Sequence, residues 1–179
     1  MKIVCLGGGP AGLYFAILAK KANPSGDITV IERNAQDSTI GWGVVFSDRT
    51  MDGFRAVDAQ THGAITRAFR HWDDIDVFFK GRKITSGGHG FCGISRIRLL
   101  RIFHTRAVAL GVKLCFNTDV RDPDDYSSTY DLVIASDGIF STTRHKYESV
   151  FSYEGATEVQ QLIIARGILK EFQESEVRI

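Results

Sequence analysis

At 179 residues, with 44% hydrophobic and 24% charged residues, the chain is long enough for one sizeable core, and its composition excludes the disordered and fibrous classes. The 22 Lys and Arg against 21 Asp and Glu leave a formal charge of +1, which excludes an overall field drawing nucleic acid or anionic lipid. The first apolar run, Ile3 to Leu6, is too short for a secretory core or a membrane span, and the 3 cysteines (Cys5, Cys92, Cys115) lack paired or metal-type spacing. A cytoplasmic protein with reduced thiols is expected, with no membrane or nucleic-acid partner.

The opening residues read as strand, turn and helix. Lys2 to Leu6 is an apolar strand and Gly7 to Gly12 a glycine turn. Ala11 to Ala22 follows as a helix with Ala11, Phe15, Leu18 and Ala22 on one face. Asn23-Pro24-Ser25-Gly26 stops the helix, and Ile28 to Glu32 is a second apolar strand, so a parallel βαβ unit with a right-handed crossover is predicted.

Gly7, Gly9 and Gly12 fit G-x-G-x-x-G directly after a strand and at a helix start. The first glycine permits the tight turn, the second lets backbone approach a pyrophosphate, and the third lets the helix pack close to the sheet. Pro10 and Ala11 open the helix, whose free N–H groups and dipole favour phosphate. Glu32 ends the second strand about 20 residues beyond the turn, where a carboxylate accepts from an adenosine ribose 2′-OH, with Arg33 beside it. NAD and FAD both present ADP to such a turn, so these residues leave the two open.

From Asn34 to Gly93 the pattern weakens. Ser47 to Phe69 holds short helices, and Asp76 to Phe79 and Lys83 to Thr85 read as strands joined by Lys80-Gly81-Arg82. Beyond Gly93 a helix over Ile97 to Leu110 and strands at Val112 to Phe116 and Asp131 to Ala135 restore the α/β rhythm. The last strand delivers Asp137 and Gly138 to the crevice side of the sheet, followed by Ser141 and Arg144. The other reading of this segment is a plain Asp-Gly turn with Ser141 as a helix cap.

Asp131 to Ser141 resembles the Asp-Gly motif of the class A flavoprotein monooxygenases, and Gly93-Ile94-Ser95-Arg96-Ile97-Arg98-Leu99 resembles the same family's arginine at a helix start. Gly41-Trp42-Gly43-Val44-Val45-Phe46-Ser47 and His89-Gly90-Phe91-Cys92-Gly93 resemble a narrower group within it, that of salicylyl-CoA 5-hydroxylase, 2-aminobenzoyl-CoA monooxygenase/reductase and the tryptophan hydroxylase of violacein synthesis. The resemblance implies an α/β, Rossmann-like FAD/NAD(P)-binding fold with a parallel sheet and part of a smaller antiparallel substrate-side sheet. It also implies FAD as cofactor, NAD(P)H as co-substrate, and hydroxylation by O₂ of a small aromatic or aryl-CoA substrate.

The residues expected to hold the cofactor are then Gly7, Gly9, Pro10, Ala11, Gly12, Glu32 and Arg33, with Asp137 and Gly138 near the pyrophosphate and ribose. On the flavin side stand Trp42, Gly43, Val44 and Arg96. Trp42 suits either a lid or stacking surface or a buried anchor. Arg98, Arg101 and Arg106 read as a solvated helix face, or alternatively as contacts to the phosphates of a large substrate. Such chemistry needs no protein nucleophile or metal, and His62, His71, His89, His104 and His145 are scattered, so no catalytic residue and no metal site are assigned.

The resemblance covers residues 1–150, an FAD-binding domain with an inserted substrate-side segment at 47–93. Phe151 to Ile179 reads as an atypical polar tail, truncated or divergent, which places activity of this chain alone in doubt. The competing readings are a single-domain NAD-dependent oxidoreductase and a catalytically incomplete nucleotide-binding fragment.

Overall fold

The computed structural model describes residues 1–138 together with Ser141, Thr143 and Lys146. Ile139, Phe140, Arg144, His145 and the tail from Phe151 lie outside the described residues. In chain order the elements are β1 (Lys2–Leu6), α1 (Pro10–Ala22), β2 (Asp27–Ile31), β3 (Gly43–Ser47), α2 (Asp48–Val57), α3 (Ala59–Thr66) and β4 (Arg70–Trp72). They continue as β5 (Ile75–Phe79), β6 (Arg82–Ser86), β7 (Phe91–Ser95), α4 (Arg96–Leu110), β8 (Lys113–Cys115), α5 (Asp124–Ser127) and β9 (Leu132–Ala135). They form two compact units, one of Met1–Ser38 with the chain from Phe103 onward and one of Thr39–Ile102.

The first unit is built on a parallel sheet in the order β8-β2-β1-β9. Leu6 of β1 is in register with Ile31 of β2 and Ala135 of β9, and Ile31 with Cys115 of β8, so the carboxyl ends of these strands align. Val4, Leu6, Ile31 and Val133 form one buried cluster, covered by Cys115, Val120, Tyr126 and Tyr130. Ile3, Cys5, Ile28 and Val30, which alternate with them, are buried as well, the double burial that continuous apolar strands of a parallel sheet require. Each such side chain contributes roughly 1.5–3 kcal/mol by leaving water, and Leu6→Ala, at 0% exposure, is the single change that opens a cavity at the strand end beneath the glycine turn.

Helix α1 has Pro at its start, Lys20 and Lys21 in its last turn, and ends where the Asn23 N–H returns to Ala19 O at 2.9 Å. Its buried stripe is Gly12, Leu13, Ala16 and Ile17. The face expected from the sequence is rotated from this one: Ala11, Phe15 and Leu18 are half-buried and Ala22 is exposed. Gly12 is the reason, because a helix that must bring its Cβ-free residue against the strand end has its rotation fixed by that residue rather than by its largest apolar ones. At the other end of the unit Phe103 stacks on Tyr14 with ring centroids 5.4 Å apart.

The second unit holds an antiparallel sheet in the order β3-β7-β4 and a separate β5-β6 hairpin. Two segments read from the sequence only as loops or motif strings, 41–47 and 89–93, are here largely paired strands, with Gly43 opposite Ser95, Val45 opposite Gly93 and Ser47 opposite Phe91. Ser47 then caps α2, its Oγ accepting the Thr50 N–H at 3.3 Å, and Phe54 of that helix packs edge-on to Phe46 at 5.5 Å. The hairpin turn puts Lys80 and Gly81 at φ 48° and 73°, the paired left-handed conformation that matches strand twist. No helix among the described residues is long and apolar enough to cross a membrane.

Candidate functional site

The glycine turn is shaped by what stands behind it. Gly7 has φ +109°, and a Cβ there would overlap the Ser136 carbonyl; a Cβ on Gly12 would overlap the Gly7 carbonyl and the Ser136 hydroxyl. Gly9 is extended backbone, φ −71° and ψ 175°, and serves as the N-cap of α1 without a side-chain cap hydrogen bond. The first bond of the helix runs from Leu13 N to Gly9 O at 3.1 Å, and the first turn carries no acidic residue. The Ala11 and Gly12 amides therefore keep their donors and the positive end of the helix for an anion, while Pro10 forgoes one without loss.

Glu32, one residue beyond β2, joins this turn to the strand. Its Oε2 accepts the Gly8 N–H at 2.8 Å, and its Oε1 accepts the Asn34 backbone and side-chain N–H groups at 2.8 and 2.7 Å. Three of about four lone-pair positions are thus engaged, leaving the half-buried carboxylate room for one further donor such as a ribose hydroxyl. Gly8 itself is buried, and a Cβ there would stand 2.9 Å from the Glu32 Cβ. Sequence reasoning treated position 8 as a free position of the motif; the third consecutive glycine was the available signal.

Asp137 follows β9 and organises the chain after it. Its Oδ1 accepts the Ser141 hydroxyl at 2.5 Å and its Oδ2 accepts the Thr143 N–H and hydroxyl at 3.3 and 3.1 Å. Ser141 therefore donates its hydroxyl to Asp137 and its amide to Gly138 O at 3.1 Å, Gly138 itself standing at φ +90°. Ser136, not singled out in the sequence, places its hydroxyl 3.1 Å from Leu6 O and 2.9 Å from Gly7 O, closing the base of the turn.

A cleft of about 390 Å³ opens at the carboxyl ends of the parallel strands. Leu6 and Gly7 line it after β1, Ile31 and Arg33 after β2, Asp137 after β9 and residues 118–121 after β8. This is where ligands of open α/β sheets bind. Arg33 and Arg121 stand there with Asp119 and Asp137, a mixed-charge lining suited to a ligand with both anionic and donor groups. The 118–121 segment was missed in the sequence because its position depends on strand order. It is tied to the acidic strand end by Thr118 N to Glu32 O at 3.0 Å and Asn117 N to Asn34 O at 3.1 Å.

In the second unit Arg96 opens α4. Its amide donates to the Trp42 carbonyl at 3.1 Å and its Nε to the Thr39 hydroxyl at 3.1 Å. Gly41, at φ +97°, turns the chain into that contact, and Gly43 and Val44 pair with Ser95 and Ile94. The structure thus gathers Trp42, Gly43, Val44 and Arg96 at one end of the β3–β7 pair. Trp42 is 97% exposed, so of the two roles open to it the buried anchor is excluded in this chain. Arg98 and Arg101 are exposed and Arg106 half-buried, and His89 stacks on Phe91 while bonding Ser86 Oγ through Nε2 at 2.7 Å. Burial pushes the Cys5 thiol up to about 12, which makes it an inert core group.

With this geometry in place the class is plain: the chain belongs to the FAD binding domain family, matching it over residues 1–169. It is 42% identical over 151 residues to salicyloyl-CoA 5-hydroxylase of Streptomyces sp, a match spanning 84% of this chain and 29% of that protein. It is 29% identical over 151 residues to 3-hydroxy-4-methyl-anthranilyl-[aryl-carrier protein] 5-monooxygenase of Streptosporangium sibiricum, spanning 84% of this chain and 42% of that one. Among solved structures, the tetrameric form of 2-methyl-3-hydroxypyridine-5-carboxylic acid oxygenase superposes with a TM-score of 0.69 at 20% identity, covering 82% of this chain and 42% of that chain, which establishes likeness of fold. The family match runs far beyond the opening βαβ unit, so the single-domain NAD-dependent reading is not favoured.

The residues present fit FAD on the structure's own terms. Backbone donors left uncapped at α1, positions 7 and 12 that admit no Cβ, and a carboxylate with a vacant acceptor position all converge on the sheet end that carries the cleft.

Proposed function

We propose that this chain is the FAD-holding part of a monooxygenase that hydroxylates an aromatic acyl thioester, with NAD(P)H as hydride donor and O₂ as oxidant. The observation that carries the reading is the 42% identity to salicyloyl-CoA 5-hydroxylase over 151 residues. In this reading the Ala11 and Gly12 amides at the start of α1 hold the pyrophosphate, Gly7, Gly9 and Pro10 shape the turn that lets it approach, and Glu32 accepts from the adenosine ribose with Arg33 beside it. Asp137 and Gly138 border the pyrophosphate and ribose, and Trp42, Gly43, Val44 and Arg96 stand on the flavin side. When bound, FAD supplies the redox chemistry that takes up hydride and delivers oxygen to the ring. The protein's part is to bind, orient and keep water from the reacting ring. A domain running to about residue 150 with a substrate-side insertion at 47–93 belongs to the same proposal. So does a cytoplasmic setting, in keeping with 3 cysteines that are all free.

The test is titration of the purified chain with FAD, followed by flavin fluorescence and absorbance, and then addition of an aryl-CoA thioester with NADH or NADPH. Saturable one-to-one flavin uptake and a hydroxylated thioester detected by mass are expected. Failure to take up flavin overturns the cofactor assignment; NADH consumption that yields only hydrogen peroxide overturns hydroxylation by this chain.

A further inference from the structure

Three side chains of the second unit that the linear sequence scatters meet in its antiparallel sheet. Cys92 lies on β7, the central strand, directly opposite His71 on β4, and cross-strand partners present their side chains to the same face. Asp48 enters from the first residue of α2, its amide held by Gly90 O at 2.9 Å, and its carboxylate stands so close to Gly90 that a Cβ there would overlap it. The Cys92 Sγ is 3.8 Å from Asp48 Oδ1, the His71 Nε2 is 3.5 Å from the same oxygen, and the three ligand atoms all lie within 4.8 Å of one another.

Those separations carry chemical meaning. A tetrahedral zinc-type ion with metal–sulfur bonds of about 2.3 Å and metal–nitrogen or metal–oxygen bonds of about 2.0–2.2 Å holds its ligand atoms about 3.3–3.7 Å apart. Small side-chain adjustments therefore bring this trio onto one ion. Charge points the same way, since thiolate, carboxylate and neutral imidazole sum to −2, the complement of a divalent cation. Without a cation the Cys92 thiol donates to Asp48 Oδ1, and burial first, then the Asp48 carboxylate, pushes that thiol up, with Asp73 adding to the negative field that a cation would offset. Asp73 also stands 3.9 Å from His71 Nε2. The mixture of soft sulfur, borderline nitrogen and one oxygen suits zinc and its neighbours and not magnesium or calcium.

We propose that Asp48, His71 and Cys92 bind one divalent transition-metal ion of the zinc class, with the fourth coordination position open to water. Binding replaces the Cys92 S–H bond by a sulfur–metal bond and releases the proton to solvent, with no change of oxidation state. The ion would clip β4, β7 and the start of α2 together. None of the three side chains belongs to the residues assigned to the cofactor, so the site stands or falls separately from the flavin reading.

The test uses the full chain stripped of metal with a chelator and titrated with Co(II) in the absence of FAD. A one-to-one complex is expected, with an intense near-ultraviolet thiolate-to-cobalt band and visible bands of tetrahedral strength that Zn(II) abolishes by displacement. Zn(II) is also expected to raise the melting temperature, and chelator to reverse that rise. Cys92→Ser is expected to remove the near-ultraviolet band, and His71→Gln, at a half-exposed position that tolerates change, to weaken binding by at least about tenfold. Absence of both the cobalt bands and the chelator-sensitive melting shift in the unaltered chain would overturn the proposal. So would undiminished binding in His71→Gln, or a Cys92→Ser chain that binds as before, either of which places the ion elsewhere.

Discussion

The Asp137 carboxylate, two residues beyond β9, accepts a hydrogen bond from the Ser141 hydroxyl at 2.5 Å. The sequence offered two readings of this segment, a ligand-facing acid and a turn with Ser141 as a helix cap; in the structure Ser141 donates to the Asp137 carboxylate, which also accepts from Thr143 and lines the cleft. Asp137→Ala and Ser141→Ala are therefore expected to be non-additive, with a coupling of about 0.5–3 kcal/mol in a double-mutant cycle on urea unfolding. Additivity within experimental error would remove the organising role.

Glu32 is expected to resist its most conservative replacement. Both oxygens accept N–H groups, one from Gly8 and two from Asn34, and an amide can present only one oxygen. Glu32→Gln then faces an N–H with an N–H and is expected to cost about 1–3 kcal/mol, with FAD affinity falling alongside. Denaturant midpoints and flavin titration of the same preparation check both.

Two glycines in helices should respond oppositely to alanine. At Gly12 the new methyl meets the Gly7 carbonyl and the Ser136 hydroxyl, and since backbone cannot yield cheaply a loss of about 1–3 kcal/mol is expected. At Gly53, inside α2, nothing lies within 4 Å of the added methyl, and a gain of about 0.4–1 kcal/mol is expected from reduced freedom of the unfolded chain. Thermal denaturation of the pair decides whether contact or helix propensity governs.

His104 sets a pH dependence. It is 5% exposed, and burial lowers its pKa below the ordinary histidine value, with Asp37 and Glu32 opposing in smaller measure. The unfolded chain consequently binds more protons than the folded one as pH falls below about 6.5. Stability is expected to decline on acidification from that pH down toward the lowered folded value, and to recover as pH rises through the same window. In His104→Leu the change in urea midpoint between pH 7.5 and 5.5 is expected to shrink; an unchanged slope would assign it to other groups.

Trp42 carries almost no burial energy in this chain. At 97% exposure its replacement by alanine is expected to leave stability within about 0.5 kcal/mol, while reducing flavin affinity if its assigned place beside the flavin is right. Chemical denaturation and FAD titration of Trp42→Ala separate the two effects.

What could be read in advance follows the range of the interactions. The β1, α1, β2 and β9 elements were legible because continuous apolar runs and a glycine turn are local signals, and Gly7, Gly12, Glu32 and Asp137 came with them. The strands β3, β4 and β7 were not, although Val44, Val45, Phe46 and Ile94 favour a strand, because Gly43 and Gly93 interrupt the pattern and the pairing partners lie far apart in sequence. The rotation of α1 was misjudged for a related reason: the apolar count favoured Phe15 and Leu18, whereas Gly12 owes its position to absent volume. Asp48, His71 and Cys92 show the same limit, since metal-type spacing along a chain says nothing about ligands assembled across a sheet.

The central strand β1 pairs with β2 almost at once but with β9 only across most of the described chain, Lys2 meeting Asp131 at a sequence separation of 129. During synthesis at about 5–20 residues per second, one edge of β1 therefore waits on the order of ten seconds for its partner. Through that interval Val4 and Leu6, fully buried in the finished sheet, have only β2 and α1 to shelter them. The time for which the nascent chain is most vulnerable to misassociation is thus set by the length of chain between β2 and β9.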